Sequence, residues 1–84
     1  MELPTPIIHL NGTGRENLTK EYEELRQALK QVEKALNHCT LHQRDYYVAD
    51  PQRWEDAKAW RDAQWAHFDA LMLYTTQHLV SFIP

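Results

Sequence analysis

Between Leu18 and Cys39 the apolar residues Leu18, Tyr22, Leu25, Leu29, Val32, Leu36 and Cys39 are spaced alternately by four and three. That spacing keeps a narrow stripe on one side of a helix of 3.6 residues per turn, the pattern of a coiled-coil seam. Glu16, Lys20, Glu24, Arg26, Lys30, Glu33 and Lys34 occupy the other faces and read as a solvated surface, with Glu16 ahead of Lys20 in the favourable i,i+4 order. Upstream, Thr13 and Glu16 have the spacing of a capping box, in which each side chain satisfies backbone donors at a helix start. The pattern predicts a first helix over 14–38, roughly 24 residues and about 36 Å long.

The heptad is lost after His38, which predicts a loop over 39–50. Asp50-Pro51 then supplies an N-cap and the residue favoured at the first helical position. No Gly or Pro interrupts the chain from there until Pro84, so a second helix is expected over 51–82, near 45 Å. Its apolar positions form two stripes. Trp54, Ala57, Trp65, Phe68, Met72, Leu79 and Ile83 mark one, and Trp60, His67, Leu71, Tyr74 and His78 mark the other. A single partner helix covers only one of them. The second would leave Trp60, Leu71 and Tyr74 as an exposed patch, which small proteins avoid unless it is an interface. Ahead of the first helix, residues 1–12 hold Pro4 and Pro6, which forbid a helix, and the apolar Ile7, Ile8 and Leu10. They read as an extended arm lying on something. The fold expected is all-α: a two-helix antiparallel hairpin with an extended N-terminal arm, assembled into a homo-oligomeric bundle, a dimer or higher.

Composition narrows the function. The chain of 84 residues is 43% hydrophobic and 11% aromatic with only two glycines, a folding sequence of one domain. Nine Lys and Arg against 12 Asp and Glu leave a net charge of −3, the wrong sign for broad contact with a DNA duplex. Cys39 is the only cysteine, so an intrachain disulfide is impossible and a multi-thiolate zinc site cannot be built from one chain. No apolar stretch reaches membrane-spanning length and no leader pattern opens the chain. A soluble, intracellular protein is expected.

His9-Leu10-Asn11-Gly12-Thr13-Gly14 before a heptad helix, followed by Arg44-Asp45-Tyr46-Tyr47 and a second long helix, resembles short uncharacterised phage and prophage proteins. In those, an apolar arm ends in His-Leu-Asn-Gly-Thr-Ser and Arg-Asp-Tyr-Tyr falls between the helices; here Gly14 stands in place of the Ser. The resemblance implies a phage accessory protein in the cytoplasm of an infected bacterium. Small helical phage proteins include inhibitors of bacterial defence, some of which sequester cyclic-nucleotide or NAD-derived immune signals, an analogy of fold and origin.

Two motifs carry candidate chemistry. Asn11, Gly12, Thr13 and Arg15 offer backbone amides, a hydroxyl and a guanidinium for a phosphate, although a cap and turn would use the same residues. Arg44, Asp45, Tyr46 and Tyr47 combine a phosphate donor, a carboxylate for ribose hydroxyls and two rings for a base, although paired tyrosines also plug bundle ends. The motifs flank the first helix and cannot share a site in one chain; in an antiparallel dimer they meet between subunits. His38, Cys39 and His42 provide too few donors for a metal, and Cys39 reads as a buried thiol in the seam. No nucleophile stands beside a base, so an enzyme is not expected and no cofactor is implied. The expectation is therefore capture of a nucleotide-type ligand at Asn11 to Arg15 and Arg44 to Tyr47. The alternative is a protein-protein inhibitor or adaptor docking a host defence protein through Trp60, His67, Leu71, Tyr74 and His78.

Overall fold

A computed structural model describes residues 3–48 and 50–84; Met1 and Glu2 of the arm and Ala49 of the loop lie outside the described residues. The described chain is helical, with α1 at Arg15–His38, one turn of 3₁₀ helix at Gln43–Asp45 and α2 at Pro51–Ser81.

The helix boundaries follow from their caps. Asp50 accepts a hydrogen bond from the Gln52 amide at 2.9 Å, and Pro51 occupies the first helical position, as expected. At α1 the expectation fails. Gly14, not Thr13, is the N-cap residue, with extended φ of −67° and ψ of 153° and no side-chain cap hydrogen bond. Thr13 stands one position too early for its hydroxyl to reach the second or third amide of the helix, so the capping box is not formed. The other end of α1 also departs from expectation. The helix stops at His38, and Cys39 turns into extended backbone and is exposed, so it is not a buried seam thiol.

The helices run antiparallel in one register. Tyr22 stacks on His78 with ring centroids 4.7 Å apart. Seventeen residues after Tyr22, just past the end of α1, the Cys39 carbonyl accepts from Arg61 Nη1 at 3.0 Å, and Arg61 lies seventeen residues before His78. Between these anchors α1 turns Tyr22, Leu29 and Leu36 inward, one every seven residues; Leu29 is buried and the other two are half-buried. From α2, Trp54, Arg61, Phe68, Thr75 and Phe82 recur at the same interval, and Phe68, Thr75 and Phe82 are buried. The expected inner stripe of α2 is therefore largely present but ends differently: Phe82 is 2% exposed and Ile83 is 70% exposed. His78, expected on the outer stripe, is 3% exposed and belongs to the core.

The arm lies against the end of α2, where Leu3 and Thr5 border a shallow pocket with Thr76, Gln77, Val80 and Ser81. Ile8 is half-buried, whereas Ile7 and Leu10 stay in water, so the arm covers less of its apolar end than its sequence suggests. The molecule measures 62 × 25 × 17 Å with a radius of gyration of 18.4 Å, against about 12 Å for a compact chain of this length. Its surface is 6734 Å², against about 5,200 Å² for a compact protein of this mass. Among the described residues, no helix is long and apolar enough to cross a membrane.

Candidate functional site

The first motif is a turn built around one glycine. The Gly12 amide donates to the His9 carbonyl at 3.2 Å, closing His9 to Gly12 into a β-turn. The His9 imidazole lies directly over Gly12: a Cβ there would come within 2.7 Å of His9 Nε2. The exposed His9 ring can swing aside for a larger residue and the backbone of Gly12 is not left-handed, so this contact places the imidazole over the turn without itself requiring glycine. Asn11, Thr13 and Arg15 are exposed. Because Gly14 contributes no side chain, the first amides of α1 receive no side-chain cap, and these donors, with the positive end of the helix, face outward.

The second motif is a 3₁₀ turn organised by His42. Its Nδ1 accepts from the Arg44 amide at 3.0 Å, and its carbonyl accepts from the Asp45 amide at 3.0 Å. This divides the four candidate residues. The Tyr46 amide donates to the Gln43 carbonyl, and its ring packs on Trp54 at 5.6 Å, half-buried. Tyr46 thus serves the plug role and offers no free face pair to a base. Tyr47 is 71% exposed. Arg44 and Asp45 are exposed, and neither forms an ion pair with another described residue. His42 is engaged as the cap, and among the described residues no group of three or more His, Cys, Asp or Glu side chains is placed to hold a metal ion.

One chain keeps the two motifs apart. The first precedes α1 and the second follows it, so the 24-residue helix separates them by about 36 Å. Between them, on one face of the hairpin, runs an apolar groove of about 510 Å³, bordered by Leu29, Val32 and Leu36 from α1 and by His67, Phe68 and Leu71 from α2. Of the expected interface residues, Trp60 is 71%, Leu71 42% and Tyr74 40% exposed. His67 is also exposed and stands at the groove. His78 does not join them. Its Nδ1 lies 2.8 Å from the Tyr74 carbonyl, to which only an N–H can donate, and its ring is enclosed by Tyr22, Tyr74 and Phe82.

Three residues outside the expected site matter to this arrangement; the heptad places Tyr22 in the α1 seam, whereas hydropathy gives Arg61 and Thr75 no role. Arg61 ties α2 to the C-terminal end of α1, where a cation is favoured by the helix dipole. Tyr22 closes the opposite end of the seam, its hydroxyl 3.2 Å from that of Tyr74. That hydrogen bond, followed by burial, raises the Tyr22 phenol above its ordinary value. Thr75 is completely buried and donates its hydroxyl to the Leu71 carbonyl at 2.8 Å, so a polar residue sits in the seam without an unsatisfied group. The interval of seven linking Arg61, Thr75 and Phe82 to Phe68 was the available signal for two of them.

Compared with known protein families, curated proteins and solved structures, the chain has no match.

Proposed function

We propose that the chain is a phage counter-defence protein that captures a nucleotide-type immune signal, cyclic or NAD-derived, at sites between subunits of a homo-oligomer in the cytoplasm of an infected bacterium. It acts by stoichiometric binding and not by turnover. The observation that carries this reading is the division within the second motif. Tyr46 is engaged with Trp54, while Arg44, Asp45 and Tyr47 are held on an ordered turn with their functional groups facing water. Phosphate, ribose hydroxyl and base would be taken by Arg44, Asp45 and the Tyr47 ring respectively. The uncapped amides of α1, with Asn11, Thr13 and Arg15, would receive a second phosphate from the neighbouring chain.

Isothermal titration of the purified protein with cyclic dinucleotides, cyclic ADP-ribose isomers and other NAD-derived nucleotides tests the reading. One panel member should saturate at a fixed stoichiometry. Arg44→Ala and Tyr47→Ala should each weaken binding at least about tenfold, the effect of losing roughly 1.4 kcal/mol of contact. Because both side chains are exposed, oligomer and helicity should be unchanged. Unfolding of either variant, or binding that ignores both substitutions, contradicts the reading.

A second reading has its own observation. Trp60 is 71% exposed, and exposed tryptophans are the residues that most often anchor protein interfaces. On that reading the chain is an inhibitor or adaptor docking a host protein through the outer face of α2, and Trp60→Ala removes activity while Arg44→Ala does not.

A further inference from the structure

The groove between α1 and α2 lacks the charge that covers the rest of the molecule. A quarter of the chain is Asp, Glu, Lys or Arg, yet none of these borders the groove. Depletion of charge is the compositional mark of the centre of an interface. Val32, in the α1 seam by sequence, is 49% exposed at its edge, facing the 42% exposed Leu71. The observed surface exceeds the compact expectation by about 1,500 Å², and a stable interface removes about 800 Å² from each partner. An interface of that standard size on one face would thus remove about half of the excess. The core of one chain is thin: Leu29, Phe68 and Phe82 are its buried hydrophobic residues among those described. A partner required for folding must be present wherever the chain is made, which points to another copy of the same chain.

We infer that the groove is the self-association face, and that two hairpins pack groove to groove, antiparallel, about a two-fold axis crossing near Val32 and Leu71. The axis position follows from the register. With α1 and α2 aligned by Tyr22 with His78 and Cys39 with Arg61, a rise of 1.5 Å per residue puts Val32 and Leu71 within about 5 Å of one level along the hairpin. Because Tyr46 packs on Trp54, seven residues before Arg61 in α2, the second motif lies about 10 Å beyond the end of α1, and the Val32 and Leu71 level is nearly midway between the two motifs. An axis there sets Val32 beside Val32 of the partner subunit and Leu71 beside Leu71 of the partner subunit. It also carries the Asn11 to Arg15 segment of each chain to the Arg44 to Tyr47 turn of the other. This last consequence rests on the sequestration reading; the interface itself stands on area and composition.

Single cysteines in a Cys39→Ala background test the geometry; Cys39 is exposed at the end of the groove, so its replacement removes the competing thiol while trimming only the groove's rim. Val32→Cys and Leu71→Cys should each form a disulfide-linked dimer under mild oxidation, at least about tenfold faster than Gln27→Cys, an exposed position on the outer face of α1, because docking raises the local thiol concentration. Cross-linking no faster than at Gln27→Cys overturns the interface. Cross-linking confined to mixtures of the Val32→Cys and Leu71→Cys chains overturns the antiparallel arrangement, since parallel hairpins would set α1 against α2. The linked dimer is then titrated with the nucleotide panel. Rapid linkage without nucleotide uptake supports the interface and removes the sequestration reading, whereas uptake by a chain that does not link overturns the interface alone.

Discussion

The most telling residue is His78, whose chemistry suggests a surface contact and whose position is the core. Its ring stacks on Tyr22 at 4.7 Å with an interplanar angle of 11°, and Phe82 meets both rings edge-on. This aromatic group joins the start of α1 to the end of α2, where no loop holds them. The Tyr22 hydroxyl adds a pH dependence. Its hydrogen bond to Tyr74, with burial as the next cause, favours the neutral phenol and raises its pKa in the folded state. A folded pKa above the unfolded value near 10 means that this contribution is complete below about pH 10 and is lost as pH rises through the folded value. Denaturant midpoints of the wild type should therefore fall above pH 10, and Tyr22→Phe should lose less over the same range. Equal alkaline losses in both would show that Tyr22 does not titrate as described.

At the scale of elements, α1 was legible because each of its seam positions is apolar or aromatic, so hydrophobicity and burial coincide at Tyr22, Leu29 and Leu36. For α2 they do not coincide. Its seam holds Arg61, Thr75 and His78, each satisfied by a carbonyl that hydropathy does not see. Hydrophobicity alone therefore favours Ile83 where the seam takes Phe82, and places His78 outside the core. In the candidate site, residue types marked the two motifs, but the packing that commits Tyr46 to Trp54 and leaves Tyr47 exposed depends on tertiary contact. The start of α1 lies one residue from the capping-box expectation for a local reason: Gly14 takes the cap position with nothing to cap with. Its backbone is extended, and a Cβ there meets nothing within 4 Å. Gly14→Ser should thus supply the missing cap and restrict the unfolded chain, raising stability by about 1 kcal/mol in urea titrations. A loss of stability would mean that the helix does not start where the backbone places it.

At the scale of the whole molecule, one chain alone covers too little of its apolar surface. An elongated hairpin of 62 Å with a seam one residue deep leaves Trp60, Leu71, Leu73, Val80 and Ile83 in water, more apolar surface than an isolated small domain normally tolerates. The proposed self-association would cover the groove, and the same symmetry operation would unite two motifs that one chain holds at opposite ends of α1. On that proposal, assembly and ligand capture follow from one geometry. Native mass spectrometry of the purified chain, alone and with the nucleotide panel, reads both at once. The account predicts an oligomer with an even number of chains that gains one panel member at a fixed ratio of ligand to chain. A folded monomer would contradict the assembly on which the site depends, and an oligomer that takes up no nucleotide would contradict the proposed function.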